Sequence, residues 1–235
     1  MWTTAHIRRQ LAKMGGTKPF SIRDFLAFGG RAAVDQAFAR LVKNGEVIRV
    51  ARGLYIKGNS PPPTALEVAV AKAAAFNRTI AMHGSQAALL LKISQAKHQN
   101  QTVKELVFAT SGRTSSFRFG EQIIRFIGTS ARKLHFGNSK PGLAVRSLWH
   151  LGKKICTMEM ASDATSSFLR YDREEWKKNT QVMPEWMHEL FLSIGRYWQE
   201  QARLEAKSAW LRDLDPSFSP EVLRRQAFPQ LFNDT

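Results

Sequence analysis

The sequence of 235 residues predicts an α/β (α+β) fold, and three observations support that class. Hydrophobic residues make up 43% and charged residues 23% of the chain, which is typical of a folded globular protein. Helical and strand-like hydrophobic patterns alternate over residues 1–151, which indicates mixed secondary structure. Over residues 184–211 the pattern is helical alone, which indicates a helical end to the chain.

A proline-rich segment, residues 59–63 (Asn-Ser-Pro-Pro-Pro), is the clearest linker in the chain because proline interrupts helices and strands. We therefore expect three parts. Residues 1–60 form a first domain, residues 61–155 a basic mixed α/β domain, and residues 156–235 a helical C-terminal extension.

The first part contains a regular series of predicted elements. Residues 2–13 have helical spacing, Ser21 has the pattern of a helix N-cap, and residues 31–44 form a third predicted helix. Two strand patterns within residues 46–57 flank Gly53, which indicates a hairpin. This order is that of a winged helix-turn-helix, a DNA-binding domain.

The remaining elements follow from the same periodicities. Helices are predicted at 64–76, 85–91, 142–151, 164–169 and from Pro184 to about residue 211; strands are predicted at 79–82, 103–110, 117–119 and 123–127. A tail with apolar residues between 222 and 232 ends the chain.

The net charge of +16 favours a polyanionic partner such as nucleic acid, with a merely basic protein or a membrane-surface binder as alternatives. Residues 1–60 carry eleven Lys and Arg against three acidic residues, residues 61–155 fourteen against three, and residues 156–235 ten against thirteen. The resulting net charges of +8, +11 and −3 place the expected DNA-facing surface in the first two-thirds of the chain.

The third helix is the expected recognition helix, whose N-terminal part meets base edges in the major groove. Arg suits guanine, Gln suits adenine and Lys suits phosphate, while a basic hairpin reaches the DNA backbone or the minor groove. The expected DNA-binding residues on the helix and wing are Arg31, Gln36, Arg40, Lys43, Arg49, Arg52 and Lys57. A solvated helix face and a hairpin packed on a partner domain are the alternatives. Asp35 would repel phosphate, so we expect it to cap, to pair with a nearby Arg or to accept from cytosine.

The stretch from Leu41 to Tyr55, LVKNGEVIRVARGLY, resembles the N-terminal domain of AbiEi-like antitoxins of type IV toxin–antitoxin systems. That family has a helix ending in R-L-V-x-x-G and a wing containing R-V-x-R-G-x-Y. The resemblance continues more weakly through residues 82–91 and 108–126, so it covers about residues 1–155.

The resemblance implies a winged helix-turn-helix that binds DNA and represses its own operon. It also implies a second domain that neutralises a toxin resembling a nucleotidyltransferase. The wing positions of the family correspond to Arg49, Arg52 and Tyr55, of which Tyr55 is expected to anchor the core.

We therefore expect a DNA-binding antitoxin and transcriptional autorepressor. Its expected partners are double-stranded DNA, a cognate toxin and a second copy of the chain, because paired half-sites need two readers. The alternative is a stand-alone winged-helix regulator whose middle domain senses a ligand or forms the dimer. A basic group in the middle domain is a second nucleic-acid surface, a site for an acidic partner or a solvated sheet edge: Arg113, Arg118, Arg125, Arg132 and Lys133.

Catalytic patterns are weak, so we expect no enzymatic activity, no cofactor and no metal site. The six His form no metal-ligand pair, and no phosphate-binding Gly-rich loop is present. The segment His83-Gly84-Ser85 places a His near a Ser, but Ser85 is expected to cap the following helix. The least favoured alternative is a metal-dependent nuclease. Its candidate metal-binding acids are Asp163, Asp172, Glu174 and Glu175. A solvated acidic loop explains these four residues better.

The single cysteine, Cys156, excludes an intramolecular disulfide and fits a reducing compartment. No signal-peptide pattern and no apolar run of membrane-spanning length occurs, so we expect a cytoplasmic protein without a membrane partner. Aromatic residues of the C-terminal helices are expected to be core, with a partner interface as the alternative: Trp186, Phe191, Trp198 and Trp210.

Overall fold

The computed structural model describes residues 2–15, 18–93 and 105–214. Within these ranges the α-helices are α1 (Trp2–Lys13), α2 (Arg31–Lys43), α3 (Ala65–Ala74), α4 (Gly84–Leu90), α5 (Ala131–Leu134), α6 (Lys140–Leu151), α7 (Met158–Thr165), α8 (Arg170–Lys178) and α9 (Glu185–Leu214). The strands are β1 (Phe20–Ser21), β2 (Val47–Ala51), β3 (Leu54–Lys57), β4 (Ile80–Met82), β5 (Glu105–Thr110), β6 (Ser115–Phe119) and β7 (Gln122–Gly128). Two short 3-10 helices span Ile22–Phe28 and Thr180–Val182. The predicted mixed α/β class is confirmed.

The N-terminal part consists of α1, the first 3-10 helix and α2 packed beside a small antiparallel sheet with strand order β1-β3-β2. Ser21 is the N-cap that the sequence predicts, and it forms a capping box with Asp24: the Ser21 hydroxyl accepts from Arg23 N, and the Asp24 carboxylate accepts from Ser21 N. Phe38 lies at the centre of the buried core, with its ring 5.2 Å from that of Phe25 and 4.7 Å from that of Tyr55. Tyr55 is therefore a core anchor, as expected.

The second sheet is mixed, with strand order β4-β5-β7-β6. Strands β5 and β7 are parallel, from the pair Glu105 and Ile123 to the pair Thr110 and Gly128, while the other two pairings are antiparallel. The hairpin expected around Gly120 joins β6 to β7. Residues 103 and 104 of the expected strand 103–110 lie outside the described residues, as does the tail after residue 214.

The helical part corrects one sequence prediction. Residues 164–169 do not form a helix of their own, because Ala164 belongs to the end of α7 and Leu169 is the N-cap of α8. The turn between the two helices is stabilised where Asp172 accepts a hydrogen bond from Leu169 N at 2.9 Å. The long helix expected after Pro184 is confirmed as α9.

Buried clusters extend across both positions where the sequence predicts domain boundaries. Leu54 of the β2–β3 hairpin shares one cluster with Val68 of α3 and with Ile124 of the mixed sheet. A second cluster joins Leu148 of α6 to Ile194 of α9. The three-part division stays a prediction, and the hydrophobic packing couples the parts closely.

Candidate nucleic-acid interface

A cationic groove of about 650 Å³ lies between α2, the β2–β3 hairpin and α3. We call it the basic groove. Its lining comprises Ser21, Ile22, Arg23, Arg31, Asp35, Ala39, Val42, Arg49, Arg52, Gly53, Leu54, Tyr55, Lys72, Ala75 and Phe76. Five of these residues are basic and one is acidic, so the groove has the charge that an anionic backbone requires.

Helix α2 presents two exposed faces rather than one. Arg31 and Asp35 point into the basic groove, where the Arg31 Nε atom lies 2.9 Å from an Asp35 carboxylate oxygen. Of the three roles considered for Asp35, the structure shows the ion pair with a nearby Arg. The second face carries three exposed side chains outside the groove, at the i, i+4 and i+7 positions of a helix: Gln36, Arg40 and Lys43.

The helical spacing of Val34, Ala37, Phe38, Leu41 and Val42 predicts one buried stripe on α2, and Val42 departs from it. Val42 is 38% exposed and lines the basic groove, whereas Val34, Phe38 and Leu41 are fully buried as expected. Helix α2 packs mainly against α1, the first 3-10 helix and β2, which cover Val34, Phe38 and Leu41 but not Val42. The stripe of buried residues is therefore narrower than its hydrophobic pattern suggests.

The basic residues of the β2–β3 hairpin fall into two groups. Arg49 and Arg52 are exposed and line the groove beside α2. Lys57 lies at the base of the hairpin, opposite Val47, and its ammonium group donates to the backbone carbonyl of Met14. Lys57 therefore ties the hairpin to the end of α1 and is not among the residues that line the groove.

Three groove residues were missed by the sequence reasoning: Arg23, Lys72 and Phe76. The Lys72 Nζ atom donates to the backbone carbonyl of Arg52 at 2.5 Å, which joins α3 to the tip of the wing. The Arg23 guanidinium lies 4.2 Å from the centroid of the Phe76 ring, and Lys72 Nζ lies 5.7 Å from it. A lone Lys in an Ala-rich helix gives no local signal of such a site.

The cations of the groove repel one another. The pKa of Lys72 is lowered first by its partial burial and then by the positive charges of Arg52, Arg23 and Arg49. A bound anion would relieve this repulsion, because each phosphate supplies negative charge to several of these side chains at once. The groove is therefore suited to bind phosphate groups.

The prediction that Ser85 caps helix α4 is wrong. His83, not Ser85, is the N-cap of α4, since its Nδ1 atom lies 3.2 Å from Ser85 N, which donates to it. The His83 and His150 ring centroids are 5.3 Å apart, and burial lowers the pKa of His83 to about 4. Arg146 is buried beside them, where its Nε donates to the Met82 carbonyl at 2.7 Å, and burial lowers its pKa to about 10.

The acids considered for a nuclease are not a solvated loop. Asp172, Glu174 and Glu175 belong to helix α8, and Asp172 is buried as a capping residue. Glu174 pairs with Lys177 at 3.4 Å. Within residues 2–15, 18–93 and 105–214, no three His, Cys, Asp or Glu side chains are grouped so that they could hold a metal ion.

Three of the five basic residues of the middle region, Arg125, Arg132 and Lys133, have structural contacts. Arg125 pairs with Glu105 across the two parallel strands at 2.6 Å. Arg132 donates to the carbonyls of Val182 and Met183 at 3.2 and 3.1 Å, which fixes α5 against the segment before α9. Arg113 and Arg118 are exposed. The Lys133 Nζ atom lies 5.1 Å from the centroid of the Trp149 ring.

The fold and the basic groove together define a mixed α/β protein with a cationic cleft beside an exposed helix. Residues 6–176 match a family described as a family of unknown function (DUF6088). The match covers more than half of the chain, so the protein belongs to this family. No protein of curated function matches the sequence. Among the described helices, none combines the length and apolarity needed to cross a membrane.

Proposed function

We propose that the chain binds double-stranded DNA through a winged helix-turn-helix made of α1, the first 3-10 helix, α2 and the β2–β3 hairpin. The basic groove carries this proposal, because it joins the candidate recognition helix and the candidate wing through cations from four segments. In this arrangement α2 enters the major groove, and Arg49 and Arg52 follow the backbone that passes between the major and minor grooves.

The two exposed faces of α2 have different roles in the proposed DNA binding. Gln36, Arg40 and Lys43 face away from the wing and supply the contacts to base edges and adjacent phosphates. Arg31, paired with Asp35, lies inside the basic groove and positions the helix on the backbone. Asp35 also prevents Arg31 from acting as a free cation, so we assign Arg31 a smaller contribution than the two wing residues.

We further propose that this DNA binding serves a cytoplasmic antitoxin and autorepressor of a type IV toxin–antitoxin system, acting as a homodimer on paired half-sites. The similarity of residues 41–55 to AbiEi-like antitoxins supports this role. Under this proposal the toxin, a nucleotidyltransferase-like protein, is neutralised by the chain outside residues 1–60.

Growth rescue tests the antitoxin role. The gene beside this one is expressed alone, with the full-length protein, and with an Arg49→Ala, Arg52→Ala variant that keeps the whole fold. Toxicity that both forms relieve would support an antitoxin whose neutralising surface is separate from the basic groove. An absence of toxicity or of rescue would contradict the antitoxin role and favour a stand-alone winged-helix regulator, which the DNA-binding measurement in the Discussion tests separately.

A further inference from the structure

A second groove, of about 430 Å³, runs between α8 and α9, and we call it the α8–α9 groove. Its floor is formed by Trp176, Phe191 and Ile194, all buried, and Trp198 forms part of its wall. Leu192 also lines it and is 55% exposed, which is high for a large apolar side chain. The groove therefore offers apolar surface to solvent.

The groove is long. Its lining on α9 runs from His188 to Ala202, and fourteen helical steps of about 1.5 Å give a length of about 21 Å. This length accommodates one extended chain laid along α9.

A glycine leaves the middle of the groove open. Gly195 lies within α9, where glycine is unfavourable relative to alanine. A Cβ atom added at Gly195 would have no other heavy atom within 4 Å. Since neighbouring side chains do not force a glycine at this position, its effect is to keep the groove unfilled.

The charge of the groove is one-sided. Among the described residues, the basic and histidine side chains that line it are Arg173, Lys177, His188 and Arg196, and none of the described lining residues is acidic. This contrasts with the net charge of −3 over residues 156–235. The Arg173 guanidinium lies 4.4 Å from the centroid of the Trp198 ring, so its positive charge is located at the apolar wall of the groove.

Two of these cations differ in their partners. Lys177 is already paired with Glu174. Arg196 is exposed, and within the described part of the chain its Nη2 donates only to the Ser193 hydroxyl, at 3.4 Å. A carboxylate is the better partner for a guanidinium because the hydrogen bonds are charge-assisted. An occupant with one apolar chain and one carboxylate would satisfy the groove and Arg196 together.

We propose that the α8–α9 groove binds an unbranched aliphatic carboxylate, with the chain along Trp176 and Phe191 and the carboxylate at Arg196. The site is separate from the basic groove and does not depend on DNA binding. It also lies largely beyond residues 6–176, the part that matches the family.

The test uses hexanoate, octanoate and decanoate as probes, titrated into the full-length protein and measured by calorimetry and by tryptophan fluorescence, since Trp176 and Trp198 line the groove. Each added CH₂ group should tighten binding by about fourfold, because its burial is worth about 0.8 kcal/mol. Decyltrimethylammonium has a similar chain and the opposite charge, so it should bind at least tenfold more weakly than decanoate.

Two variants locate the site. Gly195→Leu should fill the groove and abolish decanoate binding, while Arg196→Glu should reverse the preference for the carboxylate over the ammonium probe. Arg203→Glu is the matched control, because it makes the same charge change at an exposed site on α9 outside the groove. Circular dichroism melting curves check that each variant is folded.

Four results would overturn the proposal. Affinity that does not depend on chain length would exclude burial of the chain, and equal binding of the two head groups would exclude the carboxylate site. Unchanged affinity of a folded Gly195→Leu variant would place binding elsewhere. If decanoate does not bind and Leu192→Arg instead dissociates a dimer in sedimentation experiments, the groove is an interface between copies.

Discussion

Removing two wing cations should weaken DNA binding in a way that salt dependence can identify. Arg49 and Arg52 are exposed, and within the described part of the chain neither side chain makes an ion pair or a hydrogen bond. The Arg52 carbonyl that accepts from Lys72 belongs to the backbone and stays in place. The double variant Arg49→Ala, Arg52→Ala should therefore keep the stability of the protein.

The magnitude follows from counterion release. Each phosphate contact contributes about −0.9 to the slope of log K against log salt, which corresponds to about eightfold in affinity at 0.1 M salt relative to 1 M. Two lost contacts should reduce the slope by about 1.8 and the affinity at 0.1 M salt by roughly sixtyfold. The difference between the two proteins should vanish as the salt concentration approaches 1 M.

Fluorescence anisotropy with a labelled 20-base-pair duplex measures this effect, and a random sequence suffices because phosphate contacts do not depend on sequence. The matched control is Arg203→Ala, Lys207→Ala, which removes two exposed cations from α9. A folded wing variant with the slope of the wild type would refute the assignment of the hairpin. An equal loss in the control would show that net charge alone governs binding.

Four further predictions concern two glycines, a buried histidine and the cysteine. Gly84→Ala should lower the free energy of unfolding by about 3 kcal/mol in denaturant titrations, because its Cβ would lie 2.2 Å from the Arg146 carbonyl oxygen. Gly195→Ala should instead raise the free energy of unfolding by about 0.5–1 kcal/mol, because its Cβ would have no other heavy atom within 4 Å and glycine is unfavourable within a helix. The pKa of His83 in the folded protein is about 4, below its ordinary 6.5, so the unfolded chain binds a proton first as the pH falls. The free energy of unfolding should therefore decrease as the pH falls from 6.5 to 4, and a His83→Gln variant with the same decrease would contradict this. Burial raises the pKa of the Cys156 thiol to about 11, so at pH 8 it should react with a disulfide reagent only after unfolding; rapid reaction of the native protein would show that the thiol is accessible.

Local signals account for the elements that the sequence predicted well. Trp2–Lys13 and Leu54–Lys57 have the predicted bounds, and the capping box at Ser21 is present. Each of these elements depends on residues no more than about four positions apart. Helix periodicity, capping and hairpin turns all act over this distance along the chain. The break between α7 and α8 was missed because Leu169, which precedes the capping Asp172, is not a typical N-cap residue.

The candidate site divides in the same way. The sequence by itself determined that a basic helix and a basic hairpin follow one another, because Arg40, Arg49 and Arg52 lie close together along the chain. Only the tertiary structure decided that Lys72 of α3 lies beside this helix and hairpin, and that Lys57 points toward the end of α1. It also decided that Gly195 of α9 lines an open groove. The physical reason is that hydrogen bonds within helices and turns act over a few residues. The faces that helices and hairpins present to one another are instead fixed by burial of side chains distant in sequence.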